Sequence, residues 1–369
     1  VKIPNGNEII EKFERWAPRY LAMEGDPNGV HVGTLNKKIE RVLVTLDVNE
    51  EVADEAIAKG AELIIAHHPP IFRPMKNIQT DFAQGRLMEK LIKNDITVYA
   101  AHTNLDVARG GVNDLLADAL GLEDTEVLVP TYEEELVKIA VFVPESHEEA
   151  LRTALGEAGA GEIGDYEFCS YTLSGTGRFR PTQDADPYLG EAGKMEETAE
   201  SKIEVVVRKK DKERVIRLMM KAHPYEEVAY DVFTLENKEA VMGLGRIGKL
   251  PEEMNLKAFA EHVKNSLSVP FVRIVGEDGD AVRKVAVLGG DGNKYITYAK
   301  RAGADVYVTG DLYFHVAQDA QALGLNVIDP GHHVEKVMIQ GVVDKMSNDN
   351  KWQCEFIASQ VNTEPFRLG

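Results

Sequence analysis

Short apolar runs separated by segments of helical period recur along the chain. One set reads "RVLVTL", "ELIIA" and "ITVYAA"; a second reads "KVAVLGG", "VYVTGD" and "LNVIDP". Runs this short, β-branched and bounded by turn residues are those of strands buried on both faces. Residues 41–68 align without a gap on residues 284–311, with Val42 on Val285, Gly60 on Gly303 and Ala61 on Ala304. Each copy reads as strand, polar turn, helix closed by a C-cap glycine, and second strand. Both continue through another helical pattern, "FAQGRLMEKLIKN" or "YFHVAQDAQALG", into a third strand. The pattern predicts two similar α/β halves, over residues 1–130 and 238–369.

The segment between them, residues 131–237, has a different period. "ELVKIAVFVPESHEEALRTALGEAG" reads as strand and helix, "EFCSYTLSGTGRFRP" as strand and turn, and "KIEVVVRKKDKERVIRLMMKAHPYEEVAYDVFTLE" as strand, helix and strand. The order β-α-β-β-α-β predicts an inserted ferredoxin-like α+β domain. Within it, "EAGKMEETAE" is acidic, poor in large apolar residues and read as a solvated loop.

Composition narrows the possible partners. A net charge of −19 argues against binding nucleic-acid phosphate, which needs clustered Lys and Arg. Cys169 and Cys354 are far apart and in no CxxC pair, which excludes a disulfide framework or a Cys-based zinc finger and fits a reducing cytoplasm. No apolar stretch approaches the roughly 18 residues of a membrane span, and "VKIPNGNEII" lacks the layout of a signal peptide. The chain is expected to be neither secreted nor embedded in a membrane.

Candidate chemistry collects at strand ends. In "AHHPPIF", His67 and His68 follow an apolar run, and Pro69 and Pro70 then turn the chain out of the sheet, because proline lacks the amide a ladder needs. "VYAAHTNLDVARGG" puts His102 and Asp106 just beyond the third strand, and "NVIDPGHHVEK" puts His332, His333 and Glu335 beyond its counterpart. Open α/β sheets bind ligands outside the carboxyl ends of their strands, so these groups are expected on one rim. Imidazole and carboxylate without thiolate suit zinc, iron or manganese. His67 and His68 can serve two ions bridged by a carboxylate, at the roughly 3.5–4 Å separation of two-metal hydrolases. His332 and Glu335 share a helix face, Asp106 or Glu335 is the bridge, and His333 stands behind the ligands.

Other patterns have plainer readings. "GLGRIG" (243–248) matches the dinucleotide fingerprint, but Pro251 and "PEEMN" follow where a helix is required, so a glycine-rich strand and turn is expected. "GGDG" (289–292) lies between a strand and a helix start. There the amides of Gly290 and Gly292 could receive an anion, although a tight turn explains the glycines equally well. His147, His223 and His262 are read as hydrogen-bonded core histidines rather than ligands.

The motifs "AHHPPIF", "AAHTNLDVARGGVNDLLADALGL", "VTGDLYFHVAQDA" and "DPGHHVEKVM" together resemble the Nif-three-like family of dinuclear-metal proteins, also called GTP cyclohydrolase 1 type 2 homologues. The opening "FERWAPRYLAMEGDPNGVHVG" is similar as well, with "GDPNG" where the usual form has a tryptophan and the order Asp-Asn. The resemblance spans essentially the whole chain, the insert being similar to the PII-like domain of the longer bacterial members. It implies a toroidal homohexamer with two divalent ions per subunit, zinc first. It also implies His67, His68, Asp106, His332 and Glu335 as ligands, with His102 and His315 as supporting or acid/base groups. The last motif is one residue shorter here than in the family's short members; His332 is kept as the ligand.

The function so implied is hydrolytic. Metal-activated water would attack a purine ring carbon or a phosphoester of a nucleotide or related small molecule. Asp106 or Glu335 would take its proton, and His315 or His102 would protonate the leaving atom. A non-catalytic metal-binding oligomer with a regulatory role is the second reading. A nicotinamide oxidoreductase, resting on "GLGRIG" alone, is the third.

Overall fold

The predicted apolar runs form parallel strands covered on both faces. The structure, a computed structural model, describes residues 2–164, 166–348 and 351–368, with the side chains of 238–240 outside the description. The chain divides into two compact units, Val1–Tyr132 with Met242–Gly369, and Glu133–Val241; the boundaries expected from sequence lay at 130/131 and 237/238.

The first unit opens with β1 (Gly29–Val32), β2 (Arg41–Thr45), β3 (Leu63–Ala66) and β4 (Thr97–Ala100). β2, β3 and β4 are parallel, joined by helices Glu50–Lys59 and Ala83–Lys93, and β1 runs antiparallel to β4. Gly60, at φ +65°, closes the first of these helices in the left-handed conformation that glycine adopts without a Cβ penalty. Val42, Val44, Leu63 and Ile65 face one core, while Leu43, Ile64 and Ala66 face another beneath the two helices. Burial on both faces is why these strands read as unbroken apolar runs.

Next come β5 (Glu123–Pro144), β6 (Tyr171–Phe179), β7 (Glu196–Arg208) and β8 (Tyr230–Asn255). Helices Glu148–Glu157 and Lys212–Ala222 complete the β-α-β-β-α-β order of the second unit, whose strands lie in the order β6-β7-β5-β8. Its core alternates: Val137, Ile139, Val141 and Val143 with Ile203, Val205 and Val207 pack on Leu151, Leu155, Val215 and Met219. β5 and β8 are longer than their apolar patterns predict, each carrying the chain from one unit to the other.

The repeat returns in β9 (Arg273–Val275), β10 (Ala281–Asp291), β11 (Val306–Gly310) and β12 (Asn326–Asp329). β10, β11 and β12 are parallel, with β9 antiparallel on β12 and the end of β8 antiparallel on β10. β13 (Glu355–Ala358) does not join this sheet; it pairs in parallel with β2. The halves are therefore not closed blocks of sequence. β2 would otherwise present an open edge, and the strand that covers it comes from the far end of the chain. No helix among the described residues is long and apolar enough to cross a membrane.

"GLGRIG" lies inside β8, with no helix after it until Leu256. A Cβ on Gly243 would sit 1.9 Å from the Val129 carbonyl oxygen, and one on Gly248 would sit 2.8 Å from that of Glu123, so these glycines permit close backbone approach. Arg246 between them is buried and bonds Asp114 with both ends of its fork, at 2.5 and 2.8 Å, and the carbonyls of Gly243 and Gly245 at 3.0 and 2.8 Å. The pattern is structural. Removing one partner from a buried pair leaves the other charge uncompensated, so Asp114→Ala should lower unfolding free energy by about 3–5 kcal/mol in denaturant titrations; a loss under about 1 kcal/mol would refute this assignment.

Candidate metal centre

Three neighbouring strand ends of the first sheet deliver polar groups to one place. The amides of His67 and His68 extend the ladder by donating to the carbonyls of Thr45 and Leu46, at 3.2 and 2.8 Å, before Pro69 and Pro70 end it. Asp47 follows β2, and His102 and Asp106 follow β4, on and just before the short helix Thr103–Val107. The second sheet supplies Asp311 after β11, and His332 and Glu335 from the tight turn His332–Lys336 after β12.

These side chains converge. Glu335 Oε2 lies 3.0 Å from His68 Nε2, 3.1 Å from His332 Nε2 and 3.7 Å from His67 Nε2, and His67 Nε2 lies 3.5 Å from Asp106 Oδ1. Three groups could each hold a metal ion: His67 with Asp106 and Glu335; His68 with His332 and Glu335; and His67 with His68 and His102. Glu335 belongs to both groups that contain a carboxylate. His67 Nε2 and Asp106 Oδ1 are buried without a hydrogen-bond partner. Orphaned buried atoms of this kind call for an ion or water between them, so the residues present fit a divalent cation.

Each imidazole is held by its other nitrogen. His67 Nδ1 donates to the Ala101 carbonyl at 2.9 Å, His68 Nδ1 to Asp47 at 2.7 Å, His332 Nδ1 to Asp311 at 2.7 Å and His102 Nδ1 to Asp26 at 2.6 Å. A proton fixed on Nδ1 aims the Nε2 lone pair at the centre, as in carboxylate–histidine–metal arrangements. Asp311 adopts φ +52°, a left-handed conformation that aspartate tolerates better than most residues. Asp26 also accepts from the Thr103 amide and hydroxyl, at 3.0 and 2.6 Å, which fixes the start of the helix that carries Asp106.

The electrostatics are those of a cation site. Burial works against the His68 imidazolium, but Asp47 and Glu335 bonded to its two nitrogens push it up to about 10. The Glu335 bond, against burial and with help from Asp311, pushes His332 up to about 9. Burial, opposed by His67 and reinforced by Glu335, pushes the Asp106 carboxyl up to about 6. For Glu335 burial acts in the same direction, yet His332 and His68 close against its carboxylate, together with the nearby His67 imidazole, hold it well below the usual carboxylate range.

Of the residues singled out from sequence, His67, His68, His102, Asp106, His332 and Glu335 are brought together. His315 is not; it is exposed on helix Phe314–Ala322, where it pairs with Gln318 at 3.1 Å. His333 is half-buried and joins none of the groups. The anion reading of "GGDG" is corrected at Gly292, whose amide is taken by the Thr309 hydroxyl at 3.0 Å. At Gly290, φ +65°, a Cβ would lie 2.8 Å from Glu335 Oε1 and 3.3 Å from His332 Nε2, so the missing side chain makes room for the cluster. His223 and His262 bond backbone carbonyls at 2.9 Å, as ordinary packed histidines do. The orienting carboxylates Asp26, Asp47 and Asp311 had escaped the sequence reading. A signal existed for one of them, because the repeat sets Asp311 opposite His68.

The chain matches the sequence model of the family described as Duf34/NIF3 (NGG1p interacting factor 3) over residues 4–365. A Bacillus subtilis (strain 168) protein named GTP cyclohydrolase 1 type 2 homolog is 57% identical over 368 residues, covering 99% of each chain. One of the same name from Halalkalibacterium halodurans is 56% identical over 369 residues, again covering 99% of each. The crystal structure of a Bacillus cereus protein related to NIF3 superposes with a TM-score of 0.93 at 57% identity, covering all of both chains.

At pH 7 the metal-free cluster carries protons on His68 and His332, and a metal needs those lone pairs. Lowering the pH increases the competing protonation, so affinity should rise as pH rises from 7 towards 9. Adding zinc to metal-free protein in weak buffer at pH 7 should release about one to two protons per chain, read with a pH indicator. Uptake without proton release would contradict this protonation state.

Proposed function

The chain belongs to the Duf34/NIF3 family, and on that premise we propose that it is a divalent-metal-dependent hydrolase with a dinuclear centre. Its substrate is a nucleotide or related small molecule, consistent with the GTP cyclohydrolase 1 type 2 name its relatives carry. The observation that supports this reading most directly is the pair of orphaned buried atoms, His67 Nε2 and Asp106 Oδ1, in the middle of a histidine and carboxylate set.

His67 and Asp106 would hold one ion, His68 and His332 the other, with Glu335 bridging. Zinc is the first choice for such donors, with iron and manganese next. A bound pair would supply Lewis acidity and lower the pKa of water from about 15.7 towards 7. Asp47, Asp311 and the Ala101 carbonyl keep the Nδ1 protons away from the centre, so three Nε2 atoms stay available. His102, steadied by Asp26 beside the cluster, takes the role of holding and delivering a proton to the leaving atom at its own Nε2. His315, exposed on its helix, has no part in this scheme.

The proposal extends to a homohexameric toroid in the cytoplasm, with residues 133–241 as a PII-like domain. Metal analysis of purified protein should give about two ions per chain, as a two-metal site requires. Incubation with GTP and other nucleotides should then show ring opening or phosphate release. His67→Ala with His68→Ala should remove metal and turnover together. Turnover surviving in the metal-free variant would defeat the scheme, and full metal loading without turnover on any nucleotide would favour a non-catalytic metal-binding oligomer.

A further inference from the structure

β13 runs parallel to β2, so the chain leaves the first sheet at the carboxyl end where Asp47 and the imidazoles lie. The emerging segment is fastened there. The Ser359 amide donates to the Val44 carbonyl at 2.9 Å, the Ser359 hydroxyl and Gln360 amide donate to Glu55 at 2.5 and 2.9 Å, and the Thr363 hydroxyl donates to Asp47 at 2.5 Å. Asp47 is the residue that holds His68, so the segment is tied to the metal centre through one shared carboxylate.

Beyond Thr363 the segment contributes to a cavity of about 640 Å³. Its lining includes His68 and His332 of the cluster, Phe271 and Arg273, and Phe366 and Arg367. Each carboxylate in that lining already holds at least one partner. Asp47 bonds His68 and Thr363, Asp311 bonds His332, Asp329 bonds Arg273 and the amides of Leu312 and Gly331, and Glu364 accepts from the Phe366 amide at 2.9 Å. The Arg367 guanidinium, in contrast, has no bonded partner among the described residues, which leaves it free to take an anionic group. Phe366 is 74% exposed and Phe271 39% exposed, two rings left uncovered beside a polar centre. Flat rings and a guanidinium with nothing to bind recognise a planar apolar body bearing an anion.

We propose that Thr363–Arg367 is the substrate-recognition wall of this centre, with Arg367 taking an anionic group and Phe366 and Phe271 taking a flat ring. The substrate class is then an aromatic ring carrying phosphate or carboxylate. The proposal rests on reading the adjacent cluster as a metal-dependent reaction centre. Two sources share this chemistry, a nucleotide and a simple aryl phosphate.

Calorimetric titration of the full chain, supplemented with zinc, with guanosine monophosphate, phenyl phosphate and inorganic phosphate tests it. Both ring-bearing probes, or the nucleotide alone if base edges are read, should bind more tightly than inorganic phosphate. Arg367→Gln should weaken the ring-bearing probes by about tenfold or more, the loss expected for a charge-assisted bond. Phe366→Ala should weaken the same probes and leave inorganic phosphate unchanged. Zinc content should stay at the wild-type level in both variants. Wild-type affinity in Arg367→Gln, equal binding of all three probes, or loss of zinc from either variant would overturn the proposal. Binding through Arg367 without turnover of any nucleotide would instead overturn the nucleotide-hydrolase reading and leave Thr363–Arg367 as the recognition wall for a ligand of the same chemistry.

Discussion

Two carboxylates held out of water beside three imidazoles govern this structure. Asp106 and Glu335 are 8% and 3% exposed, and a charge so placed costs several kcal/mol unless an opposite charge accompanies it. In the metal-free cluster protons on His68 and His332 supply part of that balance, while Asp106 is driven towards its neutral form. The balance is incomplete, since His67 Nε2 and Asp106 Oδ1 still face each other at 3.5 Å with no hydrogen bond between them. A divalent cation meets both demands at once, which a packed apolar core or a surface ion pair would not.

The fold exists to hold that arrangement still. Parallel strands end together, so residues far apart in sequence reach one rim, and the rings of His68 and His332 come within 5.1 Å across the two sheets. Rotation of each imidazole is stopped at Nδ1 by a carboxylate or carbonyl fixed to a neighbouring strand end. Gly290 keeps the space that the Glu335 carboxylate occupies. β13 closes the open edge of the first sheet and brings the segment after it to Asp47, so one strand serves both stability and the site.

Much of this was legible in the amino-acid sequence because the signals are local. A buried parallel strand writes an apolar run, and imidazoles and carboxylates stand at or just beyond its end; that is enough to find His67, His68, Asp106, His332 and Glu335. The orienting residues have no such signature. Asp26 is one aspartate among many polar loop residues, and Asp47 acquires its task only through strand order. Asp311 becomes visible only when the repeat is used to ask why an acid stands where the other half has His68. The glycines of "GGDG" misled because a backbone amide free for an anion and a glycine clearing a side chain look identical in sequence; only the Thr309 hydroxyl and the Glu335 carboxylate distinguish them. The pairing of β13 with β2 joins residues over three hundred positions apart, and no periodicity reports a partner at that distance.

The central claim is that these side chains grip cations. Crystals of the purified protein measured above and below the zinc absorption edge, with zinc present, test it most directly. The account predicts two anomalous peaks, one among His67, Asp106 and Glu335 and one among His68, His332 and Glu335. Absence of anomalous density from that cluster, with His67 and Asp106 still turned towards each other, would contradict it.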